Sequence, residues 1–208
     1  MILSDREIAA AIELGQIIVK PRPPLDLWTS TAIDLTLDGV LLRWKEPLQK
    51  PTGEEVGPRH VYPARDKFKI KEMMEDQDLA VKFEIPLDGY PLKPWDFVLG
   101  YTVQSIYLPN TSRIAARVEG KSSLARLGVG IHVTAPTIHA GFGLNDSNHD
   151  KPGLPIQLEI FNLGGFVVHL AKGMPICQLI LEEVREMPNK GYIGKFSAQE
   201  SFTADPWS

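Results

Sequence analysis

The pattern of hydrophobic and polar positions along the chain predicts a mainly β fold. From position 79 onwards, short apolar or alternating segments are separated by Pro, Gly or Asn, which favours strands over amphipathic helices. These segments read LAVKFEI, FVLGYTVQSIYL, RIAARVE, VGIHVTA, IQLEIFN, FVVHLA and PICQLILEEVRE. Many short strands with almost no long helix are typical of a β-barrel or a β-sandwich. We therefore expect a single all-β domain that covers residues 1–208.

The N-terminal part of the chain adds one helix and one surface elaboration. Ser4 and Glu7 have the spacing of a capping box, which predicts a helix over residues 5–14. The segment AIDLTLDG then alternates apolar and polar residues before an Asp-Gly pair, which predicts a half-buried strand and a turn. Residues 45–78 are rich in charge and poor in periodicity, apart from a stretch that suits a short helix. They predict a surface excursion from the domain.

The composition excludes several classes of partner. The 208 residues include 22 Lys and Arg against 26 Asp and Glu, so a long nucleic-acid polymer finds no broad basic surface. The single cysteine, Cys177, rules out an internal disulfide, and the first residues lack the features of a secretion signal. No apolar run approaches the roughly 18 residues of a membrane span. We expect a soluble, cytoplasmic protein with no membrane partner.

The segment EGKSSLARLG offers a local site for an anion. Its Gly-Lys-Ser-Ser run invites comparison with a P-loop, but Ala115 stands where that pattern needs a glycine. A different arrangement fits better: one of the two serines caps a single helical turn that Gly128 ends, and the turn presents free N–H groups. Lys121 and Arg126 supply positive charge. A capped surface turn with solvated cations is the alternative interpretation.

The segment QLEIFN offers a carboxylate. Gln157, Glu159 and Phe161 share one face of the predicted strand, while Leu158 and Ile160 share the other. If the first face looks inward, Glu159 is a partly desolvated carboxylate that is suited to proton transfer. The alternative is an ordinary glutamate on the wet face of a strand.

The last residues, 188–208, are polar and contain several glycines. Tyr192, Lys195 and Gln199 provide an aromatic ring, a cation and an amide there. This combination suits a lid that closes over a charged ligand, whereas a disordered tail is the alternative.

Taken together, these motifs resemble the dCTP deaminase branch of the dUTPase-like family. EGKSSLARLGVGIHVTA is similar to the family's Gly-(Arg/Lys)-Ser-Ser-Leu-Ala-Arg-Leu-Gly signature and to the His-Val-Thr-Ala that can follow it. IQLEIFN, KGMPICQLIL and GKFSAQ resemble three further family segments, and LSDREI, PRPP and AIDLTL match in order near the N-terminus. The resemblance covers most of the chain outside residues 45–78.

The resemblance implies a fold, an assembly and a reaction. The fold is a distorted β-barrel of the dUTPase-like type with a few short helices, assembled as a homotrimer with active sites between subunits. The reaction is the hydrolysis of the 4-amino group of dCTP to give dUTP and ammonia. By the same resemblance, Glu159 is the general base and acid, and Ser122 and Arg126 position the attacking water and the tetrahedral intermediate.

The resemblance also assigns the groups that bind the nucleotide. Lys121 and Ser123 would hold the phosphates together with the backbone of Leu124 and Ala125. The remaining groups are the backbone at Ala135, Gln157 and Leu158, which would read the pyrimidine, and Tyr192, Lys195 and Gln199, which would close over the nucleotide.

The sequence motifs also predict which metal ions and effectors this chain uses. Zinc-dependent cytidine deaminases use His-x-Glu and Pro-Cys-x-x-Cys patterns, and this chain has one cysteine and no His followed two residues later by Glu. We therefore expect chemistry without zinc, with Mg²⁺ entering only as the counterion of the substrate triphosphate. His132-Val-Thr134 resembles the segment through which related deaminases respond to dTTP, which makes dTTP a candidate feedback inhibitor.

The sequence departs from the family pattern at TIHAGFG. His139 stands where relatives usually have an aspartate, which in dUTPases activates the water that attacks the triphosphate. This change argues against a dUTP diphosphatase and against a bifunctional deaminase-diphosphatase, although both stay open as alternatives, as does a non-catalytic nucleotide-binding regulator. His139 either donates to the 3′-hydroxyl or lines the pocket wall, and we expect Phe142 to pack against the sugar. The base is either cytosine or a modified cytosine. Asp146 and His149, in a loop insertion, are expected to be solvated.

Overall fold

The computed structural model describes residues 1–46, 58–64, 69–132, 134–143 and 153–189, and these ranges contain twelve strands and three short α-helices. The helices are α1 (Asp5–Glu13), α2 (Ile70–Glu75) and α3 (Ser122–Ala125), and 3₁₀ turns lie at Leu25–Leu27 and Asn110–Ser112. The strands are β1 (Ile18–Lys20), β2 (Ile33–Thr36), β3 (Val40–Trp44), β4 (Ala80–Glu84), β5 (Tyr90–Leu92), β6 (Phe97–Tyr107), β7 (Ile114–Gly120), β8 (Val129–Ile131), β9 (Thr137–Ile138), β10 (Leu154–Asn162), β11 (Val168–Leu170) and β12 (Pro175–Glu183).

The strands form three sheets that share one hydrophobic core. The largest sheet has the order β4-β3-β6-β10-β8, with β1 also paired to β6. A second sheet has the order β2-β12-β7-β9, and β11 pairs with β5. The core takes side chains from both large sheets, among them Leu35 and Leu179 from one and Leu158 and Ile160 from the other. The predicted mainly β fold with a few short helices is confirmed.

The first helix matches its prediction closely. Ser4 is the N-cap of α1, its hydroxyl accepts from the Glu7 amide, and the Glu7 carboxylate accepts from the Ser4 amide at 2.7 Å. Ile8 and Ala11 pack into the core. None of the helices in the described part of the chain is long and apolar enough to cross a membrane.

The strand in AIDLTL differs from its prediction, because both of its faces are buried. Asp34 is only 6% exposed, and Thr36 is buried as well. Each polar side chain is covered by a partner from a distant part of the chain. The amide of Thr36 donates to Gln104 Oε1 at 2.9 Å, and Asp34 contacts Lys121 and Gln178. The alternating pattern is real, but the face that we predicted to be wet carries buried polar contacts.

One described part of the surface excursion, the helix α2, packs on the outer face of the largest sheet. This is the predicted short helix, and Met74 from it packs against a small cluster formed by Leu42, Ala80 and Leu99. Leu42 and Leu99 are paired across β3 and β6. Side chains that are directly opposite in an antiparallel pair lie on the same face, so α2 covers the face that Leu99 occupies.

Candidate active site

The strand β10 fixes the position of Glu159. It pairs with β6, where Glu159 lies opposite Leu99, and with β8, where Ile160 lies opposite Ile131. Leu158 and Ile160 are completely buried, while the side chain of Glu159 is 33% exposed. The predicted division of faces is therefore correct. Glu159 is a half-buried carboxylate on a strand held on both sides, next to the apolar cluster that contains Leu99.

The residue two positions earlier on the same face is also buried and already has a partner. Gln157 Nε2 donates to the hydroxyl of Tyr101 at 3.1 Å. The β10–β6 register shifts between Pro155 and Gln157, and such bulges re-aim the side chains that follow them. In the described residues, β8 pairs only with residues 160–162 of β10, so the backbone edge at 157–158 has no strand partner on that side.

A histidine contacts the carboxylate directly. His132 Nδ1 lies 2.6 Å from Glu159 Oε2, and the His132 amide donates to the Glu159 carbonyl at 3.0 Å. Both side-chain atoms are buried, and among the described residues neither has a hydrogen bond of good angle. His132 also has a positive φ of 53°, which is uncommon for a residue with a side chain. The sequence linked His132 only to regulation, since its contact with Glu159 depends on the pairing of β8 with β10.

The serine-bearing turn, residues 121–126, follows β7 directly. Its N-cap is Lys121, which makes no side-chain cap, so the prediction that a serine caps the turn was wrong. The reason is local: Lys121 keeps the extended backbone of the preceding strand, and Ser122 and Ser123 already lie inside the turn. The side chain of Leu124 is buried and anchors the turn in the core. The two serines are exposed.

The C-terminal half of the turn is also exposed, and Gly128 ends the turn as predicted. Ala125 and Arg126 are exposed, and Arg126 is the C-cap. Gly128 ends the turn with a φ of 88°. A Cβ at this position would lie 2.3 Å from the Gly164 amide nitrogen, so only glycine fits there.

The ammonium group of Lys121, which we expected to supply charge for an anion, already has a partner within the chain. Its ammonium group pairs with Asp34 Oδ2, and Gln178 Nε2 donates to Asp34 Oδ1 at 3.0 Å. The Lys121 side chain is 22% exposed. Burial and the negative charge of Asp34 raise the pKa of the neighbouring Cys177 thiol, while Lys121 opposes that increase. Cys177 is a free, buried cysteine.

Three further residues lie between β8 and the loop after β9. Ala135 is exposed in the segment between β8 and β9, and His139 is exposed after β9. We predicted that Phe142 packs against the sugar of a bound nucleotide. Its side chain is instead buried in the hydrophobic core.

Several predicted residues lie outside the described residues. They are Tyr192, Lys195 and Gln199 of the expected lid and Asp146 and His149 of the loop insertion. Within the described ranges, no hydrogen bond or ion pair joins Glu159 to the serine-bearing turn, and no group of three His, Cys, Asp or Glu side chains could hold a metal ion.

Comparison with known proteins identifies the family. The sequence model of the dCTP deaminase-like family matches residues 2–184. The chain belongs to this family. Among the curated relatives of this dCTP deaminase-like chain, the dUMP-forming dCTP deaminase of Sulfurihydrogenibium sp. is 29% identical over 98% of this chain and 96% of that protein. The dUMP-forming dCTP deaminase of Nocardioides sp. is 35% identical, over 86% of this chain and 78% of that protein.

A solved structure supports the fold of the dCTP deaminase-like chain. The crystal structure of 2′-deoxycytidine 5′-triphosphate deaminase from Agrobacterium tumefaciens superposes with a TM-score of 0.59 at 18% identity. The match covers 86% of this chain and 47% of that one, so this chain spans about half the length of the Agrobacterium protein. The predicted family and the mainly β fold are confirmed.

Proposed function

We propose that this chain is an enzyme that hydrolyses the 4-amino group of dCTP and releases ammonia and dUTP. One observation carries the proposal: in a chain of the dCTP deaminase-like family, Glu159 is a half-buried carboxylate on a strand held on both sides. Two curated relatives that are named dCTP deaminases match most of the chain.

The chemistry assigns two proton transfers to Glu159. The carboxylate takes a proton from a water molecule whose oxygen forms a bond to C4 of the cytosine ring. Glu159 delivers this proton to the ring nitrogen, then takes the remaining proton from the C4 hydroxyl of the tetrahedral intermediate and delivers it to the amine. The C4–N bond breaks to give ammonia, and the C4 carbonyl of dUTP forms. Ser122 and Arg126 position the water and the intermediate. A side chain that is 33% exposed can meet both water and base, and such acid–base catalysis contributes about 10²- to 10⁴-fold.

Backbone groups of β10 read the base in this proposal. Gln157 uses its amide on Tyr101, so its side chain is committed to the protein. Among the described residues, the backbone edge at 157–158 has no strand partner on the side of β8, so it can offer an N–H and a carbonyl to the pyrimidine. The backbone of Ala135 is the second contact that we assign to the base.

The triphosphate binds at the serine-bearing turn. Lys121, Ser123 and the backbone of Leu124 and Ala125 hold phosphate oxygens, with Mg²⁺ as part of the substrate. The lid, residues 188–208, closes over the nucleotide through Tyr192, Lys195 and Gln199.

The two halves of the site come from different subunits of a homotrimer. Support comes from the described residues of the single chain, where the turn and Glu159 make no hydrogen bond or ion pair with each other. A turn donated by a neighbouring subunit would bring Ser122 and Arg126 to the carboxylate. We also propose dTTP as a feedback inhibitor that competes for this site.

A second candidate product is dUMP, because curated relatives carry the description dUMP-forming. That product requires cleavage of the triphosphate as well as deamination. His139 stands where the family resemblance led us to expect the aspartate that activates the water for this cleavage. The substitution favours dUTP as the product.

An assay that reads ammonia and pyrophosphate separately tests both candidates. Purified protein is incubated with dCTP, dUTP, CTP or dCMP in the presence of Mg²⁺, with and without dTTP. Ammonia from dCTP with no pyrophosphate is the expected result, and no product from CTP would show selection for deoxyribose. Pyrophosphate from dCTP or dUTP would establish the dUMP-forming alternative. Saturable binding of dCTP without any product would contradict the proposed enzyme.

A further inference from the structure

A buried carboxylate outside the proposed catalytic group lies against the serine-bearing turn. Asp34 is 6% exposed, one of its oxygens pairs with Lys121 Nζ, and the other accepts from Gln178 Nε2 at 3.0 Å. Moving a carboxylate out of water is costly unless the charge is paired and hydrogen-bonded. Both oxygens of Asp34 meet this requirement, so the group is held in one orientation.

The strand register explains why these three residues meet. β12 lies between β2 and β7, and Gln178 on β12 is opposite Asp34 on one side and Glu119 on the other. Residues opposite each other in antiparallel pairs share a face, so this row crosses the sheet on one face. β7 ends at Gly120, and the next residue, Lys121, extends its side chain back along the row to Asp34.

Stabilisation of the turn does not explain the position of Lys121. A lysine cannot accept a hydrogen bond from a turn amide, and it makes no side-chain cap here. Its positive charge is also unfavourable at the start of a helical turn, where the peptide dipoles already present a positive end. An ion pair buried to this degree is weak evidence for stability by itself. A function at the turn is the better explanation for holding an ammonium group there.

We propose that Asp34 is a positioning residue: it holds the ammonium group of Lys121 beside the serine-bearing turn so that the triphosphate meets a pre-oriented cation. The proposal rests on the proposed function, which assigns Lys121 to the phosphates. A free lysine has four rotatable side-chain bonds and loses that freedom when it binds phosphate. The contact with Asp34 imposes the loss before the nucleotide arrives, and Gln178 keeps the Asp34 carboxylate from turning away.

The proposal predicts a specific kinetic pattern. Phosphate contacts are the same in the ground state and the transition state of a deamination at the base, so losing one raises KM and leaves kcat unchanged. Asp34→Asn keeps the size of the side chain and the oxygen that accepts from Gln178, but it removes the charge that holds Lys121. We expect KM for dCTP to rise about tenfold, the size of one charge-assisted hydrogen bond, with kcat within about twofold.

The test is a double-mutant cycle with a matched control. Asp34→Asn, Lys121→Met and the double variant are compared by kcat, KM and calorimetric binding of dCTP, with thermal unfolding of each. Because Asp34 acts through Lys121, Asp34→Asn should add no further rise in KM once Lys121 is Met. The control is Glu182→Gln, which breaks an ion pair with Arg117 on the same two central strands, β7 and β12, and should leave KM unchanged.

The outcomes separate the two proposals. If the wild-type protein does not deaminate dCTP, the proposed reaction fails, and calorimetric dCTP binding by the same four proteins still tests the role of Asp34. If the wild type is active and Asp34→Asn has the wild-type KM, or raises KM equally when Lys121 is Met, the positioning role is wrong. If Lys121→Met does not fold because it leaves Asp34 unpaired, Lys121→Gln, whose amide can donate to Asp34, replaces it in the cycle; no further rise in KM on adding Asp34→Asn to that variant supports the proposal, and an undiminished rise overturns it.

Discussion

The strand that carries Glu159 and the turn that carries Ser122 are built in opposite ways. β10 is paired on both sides, and the neighbours of Glu159 in sequence, Leu158 and Ile160, are completely buried. The serine-bearing turn is one helical turn with exposed serines and no side-chain cap. The fold thus holds the proposed proton carrier rigidly, while the polar groups of the turn face outward, where a nucleotide or a second subunit can use them.

A second helix start in the same chain makes this contrast sharper. At α1 the Ser4 hydroxyl and the Glu7 carboxylate satisfy the first amides of the helix. The hydrogen bonds from Ser4 hold the pKa of the Glu7 carboxyl below its ordinary value. At α3 the corresponding position is a lysine that makes no such bond. Capping side chains are therefore present where the helix start only has to be stable and absent where we propose that the turn binds an anion.

The largest expected effect separates chemistry from architecture on β10. Glu159→Gln keeps the shape of the side chain but cannot carry the proton, so deamination of dCTP should fall by about 10²- to 10⁴-fold. The free energy of unfolding should stay within about 1 kcal/mol, because the side chain is half-buried and its charged contact in the described part of the chain is the one with His132. Ammonia release and urea unfolding measure the two quantities.

A control on the same sheet makes this result specific. Glu84 is an exposed glutamate on β4, at the edge of the sheet that contains β10, and Glu84→Gln should retain full activity. If Glu159→Gln keeps more than about a tenth of the wild-type rate, acid–base catalysis by this carboxylate is excluded.

The second-largest expected effect is on stability and not on chemistry, and it comes from the residue after Glu159 on β10. Ile160 is completely buried between β6 and β8, so Ile160→Ala leaves a cavity and should cost about 2–5 kcal/mol of unfolding free energy. The comparison is made by urea unfolding at one fixed protein concentration, since assembly contributes to apparent stability. Unchanged stability in Ile160→Ala would mean that this strand is not the rigid support that we infer.

The features that the sequence predicted well are local ones. The faces of β10 follow from a period of two residues, and the helix α1 follows from a capping box four residues long. The contact of His132 with Glu159 and that of Gln178 with Asp34 join residues far apart in the chain, the latter by 144 positions. Contacts of this kind depend on which strands pair and in which register, and an alternating pattern does not specify either.

The prediction that a serine caps the serine-bearing turn was wrong for a local reason. Ser122 and Ser123 are both good capping residues, and the choice between them and Lys121 depends on where β7 stops being extended. The proposed lid residues, such as Lys195, stay predictions, because they lie outside the described residues.

The smallest effect compares the two helix starts directly. Ser4→Ala removes a working cap and should cost about 1 kcal/mol of unfolding free energy without changing deamination. Ser122→Ala removes an exposed hydroxyl that caps nothing, so it should cost less than about 0.5 kcal/mol, although it should lower the deamination rate.

The cost of Ser4→Ala should also depend on pH. The pKa of the Glu7 carboxyl is lowered in the folded state, so its contribution is present above the unfolded pKa and is lost as the pH falls through the folded one. Urea unfolding of both variants at neutral and acidic pH measures this, and an equal loss of stability for the two serines would show that the turn at Ser122 is capped after all.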